Sequence, residues 1–152
     1  MTTIQNDEEL RRVLEGLSPQ QQRRAGGMFI ESALDLCDDA RIRRAVQVAM
    51  DPETSDDILE DAFHSAKDYA VGTYTECGRD TDWSRQAAHF IGVATACLLS
   101  DEQRGDTGSR AWRVAMQVRN ARNCALIAQE HGGDIGDEAE RQRRIAGELS
   151  GA

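Results

Sequence analysis

The sequence predicts an all-α, single-domain bundle of six to seven helices with no sheet, spanning residues 1–152. Three observations carry this reading. Apolar residues recur at helical spacing along almost the whole chain. No stretch alternates apolar and polar residues with the β-branched enrichment of a strand. The inward positions are rich in alanine, which lets helices approach closely. A chain of 152 residues with 39% hydrophobic and 30% charged residues is long enough to bury one real core.

The helices follow in order. Asn6 or Asp7 can cap a short first helix with Leu10, Val13 and Leu14 inward. Ser18 and Pro19 begin a second that is expected to reach about Cys37, with Met28, Phe29, Ala33, Leu34 and Leu36 inward. Gly26-Gly27 inside it signals a kink or a close helix crossing. Asp38 or Asp39 starts a third, which stops at Asp51-Pro52. Thr54 or Ser55 caps a fourth, Thr54-x-x-Asp57 resembling a capping box, and Gly78 is a suitable end for it. Asp80 or Thr81 begins a fifth carrying Trp83, Ala87, Ile91, Ala94 and Leu98. After the loop "SDEQRGDTGS", Ser109 caps a sixth with Trp112, Ala115, Val118, Cys124 and Leu126 inward. "EHGGDIG" interrupts it, and Asp137 starts the last.

Composition restricts function. The net charge is −9, from 27 acidic and 18 basic residues. That balance argues against nucleic-acid binding, which needs a basic footprint. No apolar run is long enough to span a bilayer. The opening "MTTIQNDEELRR" is acidic and polar, unlike a secretory signal. Cys37, Cys77, Cys97 and Cys124 form no CxxC pair, so reduced thiols in a cytoplasm are expected.

The acids are unevenly placed. Residues 51–68 hold Asp51, Glu53, Asp56, Asp57, Glu60, Asp61 and Asp68 against Lys67 alone. Residues 101–152 are nearly balanced, with nine acids and eight arginines. Within "DDILEDAFHSAKDY", Asp57, Asp61, His64 and Asp68 fall on one helical line beside the apolar Ile58, Leu59, Ala62, Phe63, Ala66, Ala70 and Val71. The candidate partner-binding set is Asp56, Asp57, Glu60, Asp61, His64 and Asp68. Such a face speeds encounter with a basic partner and selects it. The ordinary alternative is a solvated face whose acids favour a helix N-terminus.

Other chemistry is thin. Asp61 and His64 imitate half of a di-metal carboxylate-histidine motif, but His89 has Gln86 where the second acid belongs. Cys124 and His131, or His89 and Cys97, converge too few ligands for zinc. Cys77 beside Glu76 at a helix end is not an activated thiol. Trp83, Phe90, Trp112 and Met116 are candidates for a ligand pocket, or simply core. No phosphate loop, GxSxG or HExxH is present. Arg110, Arg113, Arg119 and Arg122, with Arg141, Arg143 and Arg144, form a basic pattern expected to pair with acids of the same molecule. The expectation is a protein without catalytic activity, cofactor or metal. Its partner would be a basic protein or its own second copy, and the rival is a metal- or ligand-binding bundle.

Two stretches carry a family resemblance. "RRAVQVAMDPETSDDILEDAF" (43–63) and "AWRVAMQVRNARNCALIAQE" followed by "EAERQRRI" (111–145) resemble small alanine- and tryptophan-rich all-helical proteins of bacteria. Some of these are classed as immunity proteins of polymorphic toxin systems, while others have no assigned role. The resemblance implies a binding protein without catalytic residues and transfers no individual site residue.

Overall fold

The computed structural model describes residues 3–74, 81–100, 109–129 and 136–150. Those residues form seven α-helices and one 3-10 turn, with no strand among them: α1 (Asp7–Glu15), α2 (Pro19–Glu31), the turn (Leu34–Leu36), α3 (Ala40–Met50), α4 (Asp56–Thr73), α5 (Trp83–Leu99), α6 (Arg110–Gln129) and α7 (Gly136–Ser150).

Side-chain caps set most of the starts. Asn6 Oδ1 accepts from Glu9 N at 2.9 Å. Ser18 and Gln21 form a full capping box ahead of Pro19, satisfying two otherwise orphaned donors. Asp39 caps α3, Asp82 caps α5, and Ser109 Oγ accepts from Trp112 N at 3.1 Å. Asp82, two residues beyond Asp80, is thus the true start of α5. The capping box expected at Thr54 does not form. Ser55 is the N-cap and makes no side-chain cap bond, while the Thr54 hydroxyl donates to Val48 O at 2.8 Å and ties the end of α3 to the loop.

The second helix is shorter than the expected span to Cys37. Ser32 Oγ folds back to donate to Phe29 O at 2.7 Å, and the chain then tightens into the 3-10 turn before Cys37. The Gly26-Gly27 pair marks a close crossing inside a continuous α2. A Cβ on Gly26 would meet Leu98 Cδ1 at 2.8 Å, and one on Gly27 would run into Met50.

α5 packs most extensively on α6 and next on α4, with α2 against α6 and α3 against α4. The core between them joins Phe29 and Ile30 of α2, Ile42 and Val46 of α3, Ile91 and Leu98 of α5, and Val114 and Val118 of α6. Leu10 and Leu14 seal it from α1. A satellite cluster of Ala87, Cys124 and Ala125 lies under Trp83, Phe90 and Leu36. α4 leans on the bundle chiefly through α3 and α5, which leaves one long side of it outward.

Candidate functional site

At about 100° per residue, Leu59, Ala62, Ala66, Tyr69, Ala70 and Thr73 share the inner side of α4. Ala66 and Ala70 are buried there. Asp57, Asp61, His64 and Asp68 fall on the opposite side. All six candidate residues, Asp56, Asp57, Glu60, Asp61, His64 and Asp68, are exposed. Their line therefore stands fully in water rather than at the edge of the core.

Two side chains expected on the apolar face stand in water as well: Ile58 is 46% and Val71 is 70% exposed. The inner face is narrower than the pattern suggests, because the small Ala62, Ala66 and Ala70 let α4 lie close against α5 and leave little depth for flanking side chains.

Little within the molecule neutralises this face. His64 Nε2 lies 3.8 Å from Glu60 Oε1, with both side chains mostly in solvent, a geometry worth little. Lys67, the one lysine, sits with Nζ 6.0 Å from the Phe63 ring centroid. Among the described residues no ion pair or side-chain hydrogen bond reaches Asp56, Asp57, Asp61 or Asp68. Asp56 and Asp57 in the first turn complement the α4 dipole, which helps explain their position but not that of Asp61 or Asp68.

The arginines of the second half are turned elsewhere. Arg119 grips Asp7 through two bonds of 2.8 and 2.9 Å, and Arg143 reaches the same carboxylate at 3.1 Å. Arg122 holds Asp35 at 2.9 and 3.1 Å and also donates to Glu138. Arg110 donates to Ser100 O at 2.6 Å and to Leu98 O, closing the end of α5. Pairing with acids of the same molecule accounts for Arg119, Arg122 and Arg143, whose acids come from α1, the 3-10 turn and α7 and not from α4, whereas Arg110 bonds to backbone carbonyls. The two arginines at Asp7 hold its carboxyl at about 2, far below its ordinary 3.8. Arg122 lowers Asp35 in the same way.

No family model, curated protein or solved structure matches this chain.

The remaining candidates disperse. Among the described residues no group of three or more His, Cys, Asp or Glu gathers in a way that could hold a metal ion. Cys124 is buried in the satellite cluster and Cys97 is half-buried. Cys37 is buried with Sγ 3.3 Å from the Tyr69 hydroxyl, and burial pushes its thiol up, away from reactivity. Cys77, Gly78, Arg104-Gly105-Asp106 and His131 lie outside the described residues. Trp83 packs on the satellite cluster, whereas Trp112 and Met116 pack on the main core and Arg11 lies 5.6 Å above the Trp112 ring. A cleft of about 410 Å³ between α2 and α3 is lined instead by Glu31, Leu34, Arg43, Val46 and Gln47.

His89 has a role that its spacing does not suggest. Its Nδ1 donates to Ala70 O at 2.6 Å, and Arg85 donates to Gly72 O at 2.7 Å. Two N–H donors from side chains of α5 thus satisfy carbonyls at the α4 C-terminus, which needs such partners. Tyr74, 64% exposed, stands edge-on to the His89 ring at 5.8 Å. The contact unites residues 19 positions apart, and local sequence holds no signal for it.

Proposed function

We propose that this chain is a non-enzymatic bacterial cytoplasmic protein that acts by binding another protein. The contact is the outer face of α4, through Asp56, Asp57, Glu60, Asp61, His64 and Asp68. The partner is basic, and the type of action is that of an inhibitor, an immunity protein or an adaptor.

One observation carries the reading. Among the described residues Asp56, Asp57, Asp61 and Asp68 of α4 stand in solvent without ion-pair partners, while Arg119, Arg122 and Arg143 are engaged by Asp7, Asp35 and Glu138. Unneutralised charge of one sign on one face steers a partner of the other sign and raises its rate of encounter. Ile58, Val71 and Tyr74 add exposed apolar area on the same helix and its cap, which a charged ring alone would lack.

The test is affinity capture from the native host with wild-type protein and with the triple variant Asp57→Asn, Asp61→Asn, Asp68→Asn. A basic partner retained by the wild type and lost by the variant is the expected result. Its association rate should fall as salt shortens the screening length. Equal capture by both proteins removes the acidic face from the mechanism.

A further inference from the structure

α7 is seated on the bundle by different means from its neighbours. Its largest fully buried side chains are Glu138 and Gln142, accompanied by Ala139, Ala146 and Gly147. Ile145 and Leu149, its larger apolar residues, are only half-buried. By contrast α2 buries Phe29 and Ile30, and α5 buries Ile91 and Leu98.

Polar bonds do the seating. Arg122 Nε of α6 and Arg141 Nη1 both donate to Glu138 Oε2 at 3.1 Å. Gln142 donates to Ala115 O at 2.9 Å and accepts from Arg119 Nε at 2.8 Å. Arg143 reaches Asp7 of α1, and Arg141 reaches Ser32 O at the end of α2. Glu138 Oε1 and Arg143 Nε are nevertheless buried without a partner. Attraction inside a buried ion pair is largely offset by the loss of hydration, and each unsatisfied atom adds a penalty. The members of such a network also depend on one another, so that losing one weakens the rest. Apolar burial, the term that survives loss of any single bond, is small for this helix.

We propose that α7 is a charge-latched strap, which opens as a unit from its seat on α1, α2 and α6 while the core of α2, α5 and α6 stays folded. Opening uncovers Arg119 and Arg122 in a groove floored by Ala115. A helix that takes the place of α7 there must bring a carboxylate. The inference is independent of the reading of α4.

Native-state hydrogen exchange on the full chain, read by mass spectrometry, tests it. In the wild type, amides of residues 138–150 should exchange through an opening cheaper than that of α5 and α6. Glu138→Gln should speed exchange in α7 by about a hundredfold or more, the scale of breaking a buried pair, with the α5 and α6 cores unchanged. Asp7→Asn touches only the half-exposed end of the network, so it gives a folded protein with a smaller acceleration confined to the same helix. Raising salt from about 0.1 to about 1 M should act in the same direction on the wild type, because the Asp7 end is open to screening. Exchange in α7 that equals the core in rate, and moves with it in the wild type and in Asp7→Asn, overturns the proposal.

Discussion

At Gly92 the distance between two helices is set by one missing methyl group. A Cβ there would lie 2.7 Å from Tyr69 Cδ1 and 3.4 Å from Ala70 Cα. Tyr69 cannot yield freely, because its hydroxyl is held against Cys37 Sγ and Arg41 covers its ring. Gly92→Ala should therefore cost about 1–3 kcal/mol, the range of overpacking. Gly72, on the exposed side of the same helix pair, has nothing within 4 Å of its would-be Cβ. There Ala should raise stability by about 0.4–1 kcal/mol by restricting the unfolded chain. Urea unfolding of the two variants checks the opposite signs. Asp7 gives a second prediction at this scale. Its carboxyl titrates at about 2 in the fold against 3.8 ordinarily, so the folded state binds fewer protons in that window. Its contribution is complete above about pH 4 and is lost as pH falls toward 2. Asp7→Asn should flatten the fall in stability over that window, measured by unfolding at a series of pH values. The sequence shows Asp7 only as a possible cap. Its two arginines lie 112 and 136 positions away, beyond the reach of any local pattern.

At the scale of the helix, local chemistry decided beginnings better than ends. Asn6, Ser18, Asp39 and Ser109 act where a capping residue before an apolar period would be placed, since both halves of a cap lie within four residues. Thr54 fails for a tertiary reason: its hydroxyl goes to Val48 O instead of the α4 amides. Ends are harder to read because α4 is closed from another helix, by Arg85 and His89, and α2 by the back-bonding of Ser32. The two cap types differ in a measurable way. Ser18→Ala removes a reciprocal capping box and should cost about 1 kcal/mol. Ser55→Ala removes no side-chain bond and should cost clearly less. Denaturant midpoints for the pair check the contrast, and equal losses would mean that Ser55 caps α4 in solution.

Across the whole molecule, charge of the two signs is treated differently. The net charge is −9, yet Arg119, Arg122, Arg141 and Arg143 point into a network that clasps the termini of the bundle, while the acids of α4 face water. Their uneven spread along the chain is plain in the sequence. Which acids the arginines choose is not, because the choice depends on how α1 and α7 meet α6. If the α4 acids serve a partner and not the fold, removing them should leave stability almost unchanged. Asp57 and Asp61 repel at a spacing of four, and relieving such a pair gains about 0.2–0.5 kcal/mol. Loss of Asp57 from the first turn costs about 0.3–1 kcal/mol of dipole complementarity. Asn and Asp have similar helix propensities, so the replacement itself adds little. The triple variant Asp57→Asn, Asp61→Asn, Asp68→Asn should thus lie within about 0.5 kcal/mol of wild type, the ordinary range for surface changes. Guanidinium unfolding of the two proteins measures this directly. A loss well beyond about 1 kcal/mol would make the acids part of the bundle's own support, and would leave a failed capture by the same variant without meaning for the partner. Unchanged stability together with a lost partner would place the function on this face of α4.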